Sequence, residues 1–112
     1  MTLEPKPALA LALAVNELAT NAAKYGAMSN RDGFVAVQWE TKILETIPSF
    51  VFIWQEFAGP QVAAPSYKGF GTRMIERLLA NDFRGDVVLE YPPEGVICRL
   101  TTPLKNLDPF PE

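Results

Sequence analysis

The chain has 112 residues, 48% of them apolar and 21% charged, with a formal net charge of −3, no histidine and a single cysteine, Cys98. That length and balance fit one globular domain with a real core. They exclude an internal disulfide, a zinc site of the Cys/His kind, histidine base catalysis and phosphorylation of a histidine within the chain. The scattered basic residues and acidic balance give no electrostatic footprint for nucleic acid or an anionic membrane.

In chain order, Pro5 and Pro7 stand where a helix can start, and Ala8 to about Ala27 is a run of strong helix formers with Gly26 as a stop. Its longest apolar stretch, Ala8 to Val15, is too short to span a bilayer, and Glu4 and Lys6 argue against a signal peptide. A cytoplasmic protein without direct membrane contact is the expectation. Ser29-Asn30-Arg31-Asp32-Gly33 reads as a turn. Phe34 to Glu40 alternates, with Val35, Val37 and Trp39 on one side, and Ser49 to Phe57 is a second strand, apolar on both faces as a central strand would be, or a strand of a sheet whose second face is covered from outside this chain. Ala58 to Gly69 reads as a loop and Thr72 to about Ala80 as a second helix. Asp86–Tyr91 and Val96–Thr102 form a hairpin around Pro92-Pro93-Glu94-Gly95. The expected fold class is α+β: a mostly antiparallel sheet with helices on one face, forming one domain over residues 1–104 with a frayed tail at 105–112.

Three segments carry chemistry. On the first helix Glu17, Asn21 and Lys24 are spaced i, i+4, i+7 and share a stripe. Leu11, Val15, Leu18 and Ala22 form the neighbouring apolar stripe, and Ala12, Ala19 and Ala23 a face of small residues. A carboxylate, an amide and an ammonium in one line can serve as a base, a Mg²⁺ ligand and a phosphate contact. They can equally be a solvated face with a Glu–Lys pair. Gly69-Phe70-Gly71-Thr72-Arg73 opens the second helix with the glycines and outward amides of a phosphate cradle, although short glycine turns also simply cap helices. Trp54-Gln55-Glu56 ends the second strand before Ala58-Gly59-Pro60. Trp54 and Glu56 share a face, where the carboxylate can accept from an adenine amino group or can face water beside a core Trp.

Together the segments resemble a known family. Glu17-Leu18-Ala19-Thr20-Asn21-Ala22-Ala23-Lys24-Tyr25-Gly26-Ala27 looks like the N box of histidine-kinase ATPase domains. Trp54-x-Glu56 with Gly59-Pro60 resembles the variant first glycine box of HWE kinases, and Gly69 to Arg77 resembles their second. The resemblance runs from about Leu3 to Leu104. It implies the two-layer Bergerat α/β sandwich and an ATP-binding catalytic domain of a two-component sensor histidine kinase. In that reading the chain transfers the γ-phosphoryl of ATP to a histidine on a dimerisation domain outside itself, for relay to a response regulator.

By the same resemblance Glu17 supports the reacting group, Asn21 binds Mg²⁺, Lys24 contacts phosphate and Tyr25 lines the adenine pocket. Glu56 reads the adenine amino group beside Gly59, and Gly69, Gly71 and Thr72 cradle phosphates with Arg73 nearby. Two positions depart from the family pattern: Asn16 stands where it has histidine, and Ala58 where glycine is usual. The alternatives are a nucleotide-binding switch or degenerate interaction module without histidine phosphotransfer, or a relative that phosphorylates serine.

Overall fold

The computed structural model describes residues 5–24, 26–60 and 70–106. The first helix, α1 (Pro5–Lys24), starts at the prolines and stops before Gly26, whose N–H reaches back to the carbonyls of Asn21 (3.2 Å) and Ala22 (3.1 Å). A single 3₁₀ turn, Ala27–Ser29, follows, so the helix is shorter than its composition suggests. Then come β1 (Phe34–Leu44), β2 (Ile47–Phe57), α2 (Phe70–Phe83), β3 (Asp86–Glu90), β4 (Ile97–Pro103) and a last 3₁₀ turn, Leu104–Asn106. The expected tail lies mostly at 107–112, outside the described residues. The strands form one sheet in the order β1-β2-β4-β3, antiparallel at every step. This is the α+β architecture expected, with the helices packed on one face.

The core lies between that face and the helices. Along β2 the side chains of Phe50, Phe52, Trp54 and Glu56 alternate inward and are all buried. Their neighbours on β4 are Thr102 opposite Phe50, Leu100 opposite Phe52 and Cys98 opposite Trp54. From α2, Ile75, Leu79 and Phe83 recur every four residues and are sealed from solvent. The Phe83 ring stacks on Phe50 with centroids 6.2 Å apart. The Thr102 hydroxyl donates to the carbonyl of Phe83 at 2.6 Å, closing the end of α2. Each of these large side chains contributes about 1.5–3 kcal/mol by leaving water. Burial pushes the Cys98 thiol up to about 11, with the charge of Glu76 adding to it, which makes it a packing residue and not a nucleophile.

The face that α1 turns to the core is Ala10, Ala14, Leu18 and Ala22, with Leu11, Val15 and Ala19 packed at its margin. Leu18 and Ala22 belong to the expected stripe, whereas Ala10 and Ala14 take the places expected of Leu11 and Val15. Alanines take the innermost places, where small side chains let α1 lie close against α2, leaving Leu9 and Leu13 exposed. Both strands of the first hairpin are also longer than expected. They meet at Glu45-Thr46, a two-residue loop with both residues at positive φ (48° and 72°). Such a loop normally announces itself by Asn-Gly, and its absence hid the turn. Replacing Glu45-Thr46 by Asn-Gly relieves two left-handed non-glycine residues. The variant is expected to unfold about 1 kcal/mol later in chemical denaturation, with an unchanged slope.

Candidate functional site

Glu17, Asn21 and Lys24 lie on one flank of α1, Glu17 and Asn21 half-buried and Lys24 exposed. None of these three side chains makes a hydrogen bond or ion pair among the described residues. The Glu–Lys pair of the bland alternative is therefore absent there, and the carboxylate, amide and ammonium remain open to a ligand. The opposite flank is an apolar groove lined by Ala8, Leu11, Ala12, Val15, Asn16 and Ala19. Asn16 lies on that far flank, turned away from Glu17; its carbonyl accepts from the Thr20 hydroxyl at 2.8 Å.

The end of α1 is joined to the end of β2 through Glu56. Its carboxylate is only 4% exposed. One oxygen, Oε1, accepts from the backbone N–H of Ala27 at 2.9 Å, and the other, Oε2, accepts from the indole N–H of Trp54 at 3.1 Å. The backbone N–H of Glu56 donates in turn to the carbonyl of Val96 at 2.9 Å. Gly26 is required here because a Cβ on it would run into the Glu56 carboxylate. Gly59 is required because the turn after β2 presses against the Ala27 backbone, leaving no space for a side chain. Ala58 holds φ 56°, the left-handed region that glycine takes without penalty, and its carbonyl accepts from the Asn30 amide at 3.4 Å. Asn30 Oδ1 also accepts from the N–H of Gly33 at 2.8 Å, which shapes the turn into β1.

The sequence motif placed Trp54 and Glu56 on one face, and they are there. It did not reveal that the indole is the carboxylate's donor or that the Ala27 amide is the second. The only sequence signal for the first was the i, i+2 spacing. Each carboxylate oxygen keeps acceptor capacity beyond its one protein donor.

Gly71, Thr72 and Arg73 fall in the first turn of α2, which begins at Phe70, two residues earlier than expected. The first N–H groups of a helix have no intrahelical partner and carry its positive dipole end. The side chains of Thr72 and Arg73, and the whole of Tyr25 and Gly69, lie outside the described residues. Among the described residues no cluster of three acidic, histidine or cysteine side chains could hold a metal alone. No helix described is long and apolar enough to cross a membrane.

No family model matches the chain. It is 35% identical over 104 residues to a blue-light-activated histidine kinase of Brucella anthropi, covering 93% of this chain and 21% of that protein. It is 35% identical over 96 residues to the protein of the same name in Brucella ovis, covering 86% and 20%. The chain thus spans about a fifth of the length of the curated relatives it matches. Among solved structures, the histidine kinase domain of a blue-light activated histidine kinase from Erythrobacter litoralis superposes with a TM-score of 0.64 at 19% identity, over 91% of this chain and 50% of that one. A second structure from the same organism, of the blue-light activated histidine kinase itself, gives 0.65 at 17% identity, over 91% and 32%.

Glu56→Gln keeps the shape but replaces one acceptor oxygen with an NH₂ donor, which must face either the Ala27 amide or the Trp54 indole. It is expected to destabilise the chain by about 1–3 kcal/mol in denaturant titration. Trp54→Phe, which leaves Oε2 without its donor, should fall in the same range.

Proposed function

The chain is a histidine-kinase homologue of the HWE type with the catalytic-domain fold, and we propose that it binds ATP with Mg²⁺ and presents the γ-phosphoryl to a histidine outside itself. The observation that carries this reading is the open flank of α1. Glu17, Asn21 and Lys24 have no protein partners among the described residues and stand on the helix whose end Glu56 clamps to β2.

The donor set suits Mg²⁺, a hard cation that commonly takes one or two protein oxygens and fills its shell with water and substrate phosphates. The amide oxygen of Asn21 would be such a ligand. The ion supplies charge neutralisation on the phosphate oxygens. Lys24, one turn further on, adds a positive charge to the same phosphates. The unpaired N–H groups at the start of α2, over Gly71 and Thr72, donate to phosphate oxygens, and Arg73 adds charge. Glu17 lies a turn before Asn21, where it orients the attacking imidazole and accepts its proton. The free acceptor capacity of Glu56 takes the adenine amino group, with Gly59 allowing the base to approach the turn and Tyr25 beside it. Catalysis is then positioning and charge neutralisation. The partners are the dimerisation segment that carries the acceptor histidine and, downstream, a response regulator.

Calorimetric titration tests the binding half. ADP is expected to bind more tightly with Mg²⁺ than without, and Asn21→Ala to lose that difference. ADP should be preferred to GDP by about tenfold or more, because guanine sets a carbonyl against the Glu56 carboxylate. Equal binding of ADP and GDP sinks the adenine assignment, and an unchanged Mg²⁺ effect in Asn21→Ala removes that ligand.

Labelled ATP tests the transfer half. The chain alone should gain no acid-labile label, since it contains no histidine. A separate fragment bearing the acceptor histidine should gain base-stable, acid-labile label when supplied at about millimolar concentration, near the effective concentration that a covalent linker provides. Glu17→Gln should reduce that labelling far more than it reduces ADP binding. Nucleotide binding with no label on a matched acceptor fragment would replace the kinase reading by the nucleotide-switch reading. Acid-stable label on serine would point to the serine-directed relatives.

A further inference from the structure

The carboxylate of a glutamate turns easily, because its last torsion is broad and nearly two-fold. A base that offers it one amino N–H would first have to order it. Glu56 is already ordered. The Ala27 N–H holds Oε1 from beyond the end of α1, and the Trp54 indole N–H holds Oε2 from the same strand. One bond alone would leave the carboxylate able to swing about the oxygen it holds. The second, on the other oxygen, fixes the plane.

The indole is itself firmly placed. Trp54 is 3% exposed and points inward on β2, with Val37 opposite it on β1 and Cys98 opposite it on β4. Packing alone does not demand an indole there, since Phe50 and Phe52 fill the same face of β2 with rings that carry no polar atom. What the indole adds is a single N–H and no acceptor, and that N–H goes to Glu56. Of the roughly four lone-pair positions on the carboxylate, two then meet protein donors, and the fixed plane decides where the others point.

We propose that Trp54 is a positioning residue for base recognition: through Oε2 it sets the Glu56 carboxylate so that the remaining lone pairs meet the 6-amino group of adenine, and selectivity for that group depends on the indole N–H. This rests on the reading of Glu56 as the adenine acceptor. Trp54 acts through Glu56 and not by touching the nucleotide. Its loss therefore weakens recognition of the amino group and leaves the phosphate contacts, which belong to α1 and α2, as they were.

Calorimetric titration with ADP and with purine riboside diphosphate, which has hydrogen in place of the 6-amino group, tests it. The parent chain is expected to bind ADP about tenfold more tightly. Trp54→Phe should reduce that ratio to about threefold or less, with affinity for purine riboside diphosphate within about twofold of the parent's. Because Trp54→Phe also leaves space in the core, a second form keeps the ring size: the chain with β-(3-benzothienyl)alanine for tryptophan, where sulfur replaces the N–H. The chain has two tryptophans, and Trp39 is exposed, so a Trp39→Phe background confines the analogue to position 54. The ratio should fall in this form too, with circular dichroism unchanged. In the Trp39→Phe chain with ordinary tryptophan, the one remaining indole N–H resonance should move on adding ADP and stay nearly still with purine riboside diphosphate. A tenfold ratio that survives in the analogue form, or equal movement of the resonance with both nucleotides, overturns the positioning role and leaves Glu56 as the adenine acceptor. A parent chain that binds both nucleotides equally overturns the reading of Glu56, and the role of Trp54 falls with it.

Discussion

The buried Glu56 carboxylate is the interaction on which the arrangement of the site depends. A carboxylate taken out of water must find donors, and an unmade bond there is far more damaging than a made one is helpful. Glu56 finds one donor on its own strand, the Trp54 indole, and one at the end of α1, the Ala27 amide. The second bond is the informative one, because it spans elements that are far apart in sequence. It fixes the distance between the last turn of α1 and the end of β2, and hence the relation of Asn21 and Lys24 to the turn at Ala58–Gly59. Gly26 and Gly59 follow from it: two backbones meet a buried side chain and each other at a separation that leaves no space for a Cβ.

The alanines of α1 belong to the same constraint. Ala10, Ala14 and Ala22 are almost fully buried against a sheet whose inward side chains include Phe50, Phe52 and Trp54. Larger residues on the helix would push it away from α2, its close neighbour in that core. The small face of α1 and the large side chains of α2 and β2 thus fill one core. The Thr102 hydroxyl on the Phe83 carbonyl does for α2 what Glu56 does for α1, tying a helix end to the sheet through a buried polar contact.

Much of this was legible in the sequence. Helix-forming runs bounded by proline and glycine, alternation in β1, the apolar run of β2 and the Pro-Pro-Glu-Gly turn placed both helices and all four strands in order, and the motif spacing placed Glu17, Asn21 and Lys24 on one flank. Local signals failed where tertiary context sets the backbone. Glu45 and Thr46 adopt a left-handed loop with neither glycine nor asparagine, held by the long β1–β2 ladder on either side. Ala58 adopts the same region beside the Glu56 clamp. The expected apolar stripe of α1 ran through Leu11, Val15, Leu18 and Ala22; Leu18 and Ala22 are buried, but Ala10 and Ala14 lie deeper than Leu11 and Val15. Where α1 lies close against α2, the smallest side chains go deepest.

α1 also separates two kinds of surface. One flank carries a carboxylate, an amide and an ammonium without protein partners among the described residues. The other is an apolar groove from Ala8 to Ala19. The helix between them can serve both only if its own position does not depend on either. That independence comes from the core face and from the Glu56 bond at the C-terminal end, neither of which uses a residue of the polar flank. A ligand held by Asn21 and Lys24, as proposed, would meet side chains that have no hydrogen bonds to give up among the described residues, and the backbone that carries them is already placed. Binding energy that would otherwise go into ordering the site remains for positioning the ligand, the condition under which a few polar groups on one helix can orient a phosphate chain.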